Sequence, residues 1–123
     1  MDSLPKLSPV VSSAEVMSMI EAVRSVFIAD ALKAYLVDIA ETSRRHPAIE
    51  LGLSPRATLQ LASAARSHAA ARGRRYATPD DVKAMAIPAL SHRLLLRTDR
   101  GARLDAKDAI GEILADVPVP TAR

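Results

Sequence analysis

The sequence has no cysteine and no tryptophan among its 123 residues, and its aromatic residues are Phe27, Tyr35 and Tyr76. The absence of cysteine excludes a disulfide framework, a thiolate metal site and a cysteine nucleophile, and it fits a cytoplasmic protein. The scarcity of aromatic residues predicts an aliphatic core and gives base stacking on nucleic acid little support. No apolar run reaches the ~18 residues of a membrane span, so we expect no membrane association.

Glycine is also scarce, and its placement excludes a phosphate-binding loop. The four glycines are Gly52, Gly73, Gly101 and Gly111, and none of them is followed by lysine. A P-loop needs Gly-x-x-x-x-Gly-Lys, because backbone N–H groups must surround the phosphates. The three histidines have neither metal-ligand spacing nor a catalytic-triad pattern, so we expect no metal site and no cofactor in this chain alone.

The remaining composition is that of one globular domain. Hydrophobic residues make up 49% and charged residues 25% of the sequence, which is enough apolar material for a core. Helix-start signals recur along the chain: a capping residue stands before a helical apolar repeat, and at most of these starts proline or an acidic residue follows within three positions. The predicted helix starts are Ser12, Asp30, Ser54, Thr78 and Asp105.

These signals predict an all-α fold, a small bundle of about five helices. The stretches "RRYA" (74–77) and "LLLR" (94–97) are short and apolar enough to form a minor two-stranded β-ribbon, although "LLLR" is equally compatible with a helical tail. "ELGL" (50–53) is interpreted as a turn, and Pro88 is expected to break or kink the fourth helix.

Basic residues cluster at 72–75, "RGRR", and the formal net charge is +3. The simpler interpretation is a solvated helix end, where cations suit the negative end of the dipole. The other is a phosphate or nucleic-acid contact, which suggests a small histone-like or DNA-binding protein as the alternative function. A third option is a helical adaptor that binds a protein through "HRLLLR".

Arg56 is oddly placed in the stretch "LGLSPRATLQ". Ser54 and Pro55 have the pattern of an N-cap and a first helical position, so Arg56 falls in the first turn of a helix. That turn carries the positive end of the dipole and disfavours a cation. Arg56 is either a tolerated surface arginine or a side chain that meets an anion outside this domain, and in the second case it must be exposed without a carboxylate partner.

The segments "GLSPRA", "RGRRY", "TPDDV" and "LSHRLLLR" together resemble the C-terminal lid domain of MoxR-type AAA+ ATPases. The likeness extends back through "VRSVFIADALKAYLVDIAETSRRHP" and on to "VPVP". It implies a linker from an ATPase core at 1–12, a helical lid at 13–117 and a C-terminal tail at 118–123. It also implies that the chain is an excised lid with an added Met1 and the native C-terminus.

The resemblance assigns a role to one residue and an interface to two others. In that family the arginine of Ser-Pro-Arg-Ala acts as the second sensor, so Arg56, flanked by Ser54 and Pro55, is expected to bind nucleotide and assist hydrolysis. His92 and Arg93 match the family's His-Arg pair and are interface candidates. Leu53 stands where the family commonly has alanine, a mild departure.

The resemblance also implies partners that the chain does not contain. These are ATP and Mg²⁺ bound by the chain's own AAA+ core, neighbouring subunits of a hexameric ring and a von Willebrand A-domain protein. The whole protein is then expected to be a chaperone-like, cytoplasmic ATP hydrolase. Nucleic acid is not expected as a partner, and the lid alone should be inactive.

Overall fold

A computed structural model describes residues 4–98 and 104–121 of the chain. Within them the chain forms an all-α bundle with one minor β-ribbon, as the sequence predicts. The helices are α1 (Ser13–Arg24), α2 (Asp30–Arg45), α3 (Pro55–Ala71), α4 (Pro79–Leu90) and α5 (Ala106–Asp116), the strands are β1 (Ile49–Leu51) and β2 (Leu95–Leu96), and a 3-10 turn spans Ser91–Arg93. Residues 1–3 of the predicted linker and 122–123 of the predicted tail lie outside the described residues.

Capping side chains start most of the helices where the sequence predicts. Ser12 Oγ accepts a hydrogen bond from the N–H of Glu15 at 3.1 Å, and Glu15 Oε1 accepts one from the N–H of Ser12 at 3.0 Å, which completes a capping box. Asp105 caps α5 through one bond of this kind, which its Oδ1 accepts from the N–H of Asp108 at 2.8 Å. The predicted cap of α2 is wrong by one residue, because Ala29 is the N-cap and Asp30 is the first helical residue.

The core lies where α3 packs against α2 and α4. Small side chains on the inner face of α3 let its neighbours approach closely, and larger aliphatic side chains of α2, α4 and α5 fill the remaining space. The buried residues of α3 are Ala57, Leu61, Ala65 and Ala69, and those of α4 include Val82, Ala86 and Leu90. Within the described residues, no helix combines the length and the hydropathy that a bilayer crossing would need.

Helix α1 lies on the surface of this bundle and buries none of its residues. It carries the helical apolar stripe that the sequence predicts, but Met19 is 52% exposed and Phe27, just beyond the helix, is 65% exposed. The stripe therefore belongs to the surface of the chain, and the core begins at Val26 and Ile28.

The ribbon uses a different first strand from the predicted one. Strand β2 does lie within "LLLR", but it pairs antiparallel with β1, so that Ile49 faces Leu96 and Leu51 faces Leu95. The turn interpretation of "ELGL" is wrong for its first residues. The stretch "RRYA" instead forms an isolated parallel bridge between Tyr76 and Phe27.

Pro88 does not break α4, which runs through it to Leu90. Proline removes one intrahelical hydrogen bond, the one to the carbonyl of Ala84. Both residues lie on the exposed face of the helix, so the carbonyl that loses its helix partner is on the solvent side and not in the core. The interruption comes one residue after Leu90, where the chain tightens into the 3-10 turn.

Candidate functional site

The start of α3 is built from a serine cap and a proline. Ser54 has an extended backbone, and its Oγ accepts a hydrogen bond from the N–H of Ala57 at 3.1 Å. The carbonyl oxygen of Ser54 accepts another from the N–H of Thr58 at 3.0 Å. Pro55 occupies the first helical position, where its missing N–H costs nothing. The predicted helix start is thus confirmed.

Arg56 is the second residue of this helix, and its side chain is exposed. Among the described residues it forms no ion pair, and the first turn of α3 contains no acidic residue. The guanidinium and the positive end of the helix dipole therefore reinforce one another at the surface. Such an arrangement favours an anion, and the forked donors of arginine suit a phosphate or a carboxylate.

The two residues before the cap are held by the last turns of α2. Ser43 is fully buried, and its Oγ donates a hydrogen bond to the carbonyl of Ala40 at 2.6 Å while accepting one from the N–H of Leu53 at 2.9 Å. Arg44 Nε donates a hydrogen bond to the carbonyl of Leu53 at 3.1 Å. Both backbone polar groups of Leu53 are therefore bonded to α2, and its side chain lies in the core.

Gly52 lies against the same turn of α2. A Cβ at this position would be 2.7 Å from the backbone N of Arg44 and 2.8 Å from the backbone carbon of Ser43. These are backbone atoms, so a side chain would force the loop and the helix apart. Among the described glycines only Gly73 has a positive φ, of 72°. Gly52 is therefore required for close approach rather than for an unusual backbone conformation.

His92 and Arg93 lie in the 3-10 turn after α4, which packs against α4 and α5. His92 is exposed, whereas Arg93 is half-buried and its Nε has no hydrogen-bond partner among the described residues. Ser54, Pro55 and Arg56 are contiguous at the start of α3, and no hydrogen bond of the described residues joins the His-Arg pair to them. The described hydrogen bonds therefore do not connect the pair to the start of α3.

A second cluster of charges joins the end of α3 to the start of α4. Asp81 is fully buried, and its two oxygens accept hydrogen bonds from Nη1 and Nη2 of Arg74, each at 2.6 Å. His68 Nδ1 lies 2.6 Å from Asp81 Oδ1, and the N–H of Thr78 donates to Oδ2 at 2.7 Å. Arg72 Nη1 lies 2.7 Å from His68 Nε2, which places the imidazole proton on Nδ1.

The charge state of this cluster follows from its hydrogen bonds. Burial alone would raise the pKa of Asp81, but the hydrogen bonds from Arg74, His68 and Thr78 outweigh burial and hold that pKa well below its ordinary value. The simpler sequence interpretation, a solvated basic helix end, is wrong for Arg74. Among the described residues, no group of three histidines or carboxylates is arranged to hold a metal ion.

Residues 41–115 match the family model of the AAA lid domain. The chain belongs to this family. The matched range contains α2's last turns, the loop before α3, Arg56 and the His-Arg pair, so the candidate site lies inside the lid domain. Helix α1 precedes the matched range.

Curated relatives place this lid in the MoxR type. The chain is 30% identical over 126 residues to "Chaperone MoxR1" of Mycobacterium tuberculosis, and 33% identical over 108 residues to "Protein MoxR" of Paracoccus denitrificans. It is also 33% identical over 118 residues to the uncharacterized protein YeaC of Bacillus subtilis. These alignments cover 94%, 75% and 95% of this chain respectively, but it spans only about a third of the relatives' length: 33%, 32% and 37%.

A solved structure of a proposed ATPase from Cytophaga hutchinsonii has the same fold. Its TM-score is 0.83 at 26% sequence identity, and the match covers 90% of this chain and 37% of that one. The same arrangement of helices therefore occurs as part of a longer chain. This result favours the lid over the histone-like alternative, and so does the basic cluster, because its Arg72 and Arg74 are engaged by His68 and Asp81.

Proposed function

We propose that this AAA lid domain senses nucleotide for a MoxR-type, chaperone-like ATPase, and that Arg56 is the residue that does so. The observation that carries the proposal is the exposed guanidinium at the start of α3, where no acidic residue of the first turn neutralises it. In the longer protein, we infer that this side chain contacts the γ-phosphate of ATP bound with Mg²⁺ by the chain's own AAA+ core. Residues 13–117 form the proposed lid, between a linker (1–12) and a tail (118–123).

The chemistry follows from what Arg56 and the helix start supply. Both place positive charge at one point, and phosphoryl transfer is accelerated by positive charge that is already in position when negative charge develops. The γ-phosphate is lost on hydrolysis, so a contact to it exists only in the ATP state. The lid would therefore take one position when Arg56 contacts the γ-phosphate and another when that contact is lost. In this way the position of the lid would depend on which nucleotide is bound.

The wider setting is part of the same proposal. The lid would act within a ring, hexameric as in the family it resembles, and His92 with Arg93 are the proposed contacts to a neighbouring subunit. A chaperone-like role is supported by the name of the Mycobacterium relative, Chaperone MoxR1. The von Willebrand A-domain partner and the cytoplasmic location stay predictions from the resemblance.

The test is the ATPase activity of the longer protein that contains this lid and its core. Arg56→Ala is expected to lower kcat by roughly 100-fold or more, the usual cost of removing one charge-stabilising donor. Arg75→Ala is the matched control, since Arg75 is also an exposed arginine of the lid, and it should leave kcat within about two-fold of wild type. Wild-type kcat in Arg56→Ala would refute the assignment of Arg56.

A further inference from the structure

The loop that leads into α3 is fixed to α2 more tightly than a helix start requires. The cap of α3 is made by Ser54 alone, through its Oγ and its carbonyl oxygen. The two backbone bonds of Leu53 go instead to Ser43 and Arg44, in the last turns of α2. These four residues, Ser43, Arg44, Gly52 and Leu53, are called the α2–α3 clamp below.

The clamp leaves little freedom in the position of α3's first turn. Ser43 and Leu53 are both buried. If the Leu53 N–H loses its hydrogen bond to the Ser43 hydroxyl, water cannot reach it to form a replacement bond. Gly52 allows the loop to reach α2, because a Cβ there would lie 2.7 Å from the backbone N of Arg44. A movement of the loop away from α2 breaks these contacts together, although the cap of α3 is unaffected.

We propose that Ser43, Arg44 and Gly52 are positioning residues for Arg56, which stands three residues after Leu53. The inference rests on the proposed function of Arg56. The clamp holds the loop at a fixed distance from α2 and so fixes where the guanidinium of Arg56 stands relative to the rest of the lid. Transition-state contacts tolerate little displacement, and a shift of about 1 Å costs up to 100-fold in rate.

Gly52→Ala in the longer ATPase tests the clamp. The added methyl group must displace the loop, so kcat is expected to fall by about 10-fold or more. Gly111→Ala is the matched control: it is the same chemical change in α5, where a Cβ meets nothing within 4 Å. It should leave kcat within about two-fold of wild type.

A double-mutant cycle shows whether Gly52 acts through Arg56. In the Arg56→Ala background, Gly52→Ala should change kcat by less than about two-fold, because the residue that it displaces is already absent. An equal loss of kcat in both backgrounds would overturn the inference, since Gly52 would then act by another route. Wild-type kcat in Gly52→Ala, with kcat reduced in Arg56→Ala, would overturn the inference and leave the proposed function intact.

Two further results distinguish a failure of the proposed function from a failure of the clamp's role. If Arg56→Ala itself has wild-type kcat, the proposed function fails and the clamp's role fails with it. If Gly52→Ala does not fold, Ser43→Ala takes its place in the cycle, because it removes the two hydrogen bonds of the hydroxyl and adds no bulk. Its circular dichroism should retain the helix content of wild type, and its loss of kcat should again disappear in the Arg56→Ala background; persistence of that loss would overturn the inference.

Discussion

The guanidinium of Arg74 and the carboxylate of Asp81 form a bidentate pair, with Nη1 to Oδ2 and Nη2 to Oδ1 each at 2.6 Å. The carboxylate has no exposed surface, and the side chain of Arg74 is 26% exposed. Bidentate pairs of this kind are strong and directional. The pair connects the loop after α3 to the first turn of α4, and with His68 it fixes how these two helices meet.

Asp81→Asn should destabilise the isolated chain by about 2–4 kcal/mol, because it leaves the Arg74 cation without its buried partner. The measurement is the free energy of unfolding in urea. Asp80→Asn is the control, since Asp80 is the adjacent, exposed acidic residue of the same helix turn. It should cost at most about 1 kcal/mol, the contribution of a charge to the helix dipole. Equal losses in the two variants would show that Asp81 acts only on the dipole.

Acid should weaken the fold through the same carboxylate. The pKa of Asp81 in the folded chain lies below its ordinary value of 3.8. In acid the folded chain therefore binds fewer protons at this residue than the unfolded chain does. The stability that Asp81 contributes is therefore complete above that value and is lost as the pH falls below it. Urea midpoints between neutral pH and about pH 3 should fall less steeply in Asp81→Asn than in wild type. Parallel slopes would contradict this prediction.

Substituting alanine at two glycines should have opposite effects on the melting temperature. Gly111 is inside α5 with open space around it, so Gly111→Ala should stabilise the chain by about 0.5–1 kcal/mol. Gly73 has a φ of 72°, which a side chain disfavours, so Gly73→Ala should cost about 1–2 kcal/mol. A rise in melting temperature for Gly73→Ala would show that its backbone conformation differs from the one described.

The isolated chain should not bind DNA at physiological ionic strength. Two of the three arginines in the basic cluster contact His68 or Asp81, so they are not available as a phosphate-binding surface. Fluorescence anisotropy with a short labelled duplex measures this directly. A salt-dependent rise in anisotropy at physiological ionic strength would favour the histone-like alternative.

Local signals predicted most helix starts, because caps and prolines act within four residues. Ser12, Ser54 and Asp105 each accept the bond from an N–H three residues later, as their spacing predicts. The pairing of β1 with β2 could not be predicted in this way. It joins residues more than 40 positions apart, and the short "IEL" before Gly52 has no strand pattern of its own.

The candidate site was likewise predictable from the sequence only in part. The position of Arg56 follows from Ser54 and Pro55, and its exposure is confirmed. The clamp was not predicted, since nothing around Ser43 indicates that its hydroxyl meets Leu53 ten residues later. Likewise "TPDD" offers two aspartates, of which Asp81 has the capping-box spacing from Thr78. Its further contacts with Arg74 and His68 depend on the packing of α3 against α4 and could not be predicted from that spacing.

The central claim is that Arg56 senses the γ-phosphate, and the most direct measurement compares nucleotide affinities in the longer ATPase. The dissociation constants of a non-hydrolysable ATP analogue and of ADP are measured for wild type and for Arg56→Ala. The analogue should bind at least about 10-fold more weakly to the variant, the value of one charged hydrogen bond, while the affinity for ADP stays within about two-fold. Equal changes for both nucleotides, or no change for either, would contradict the claim.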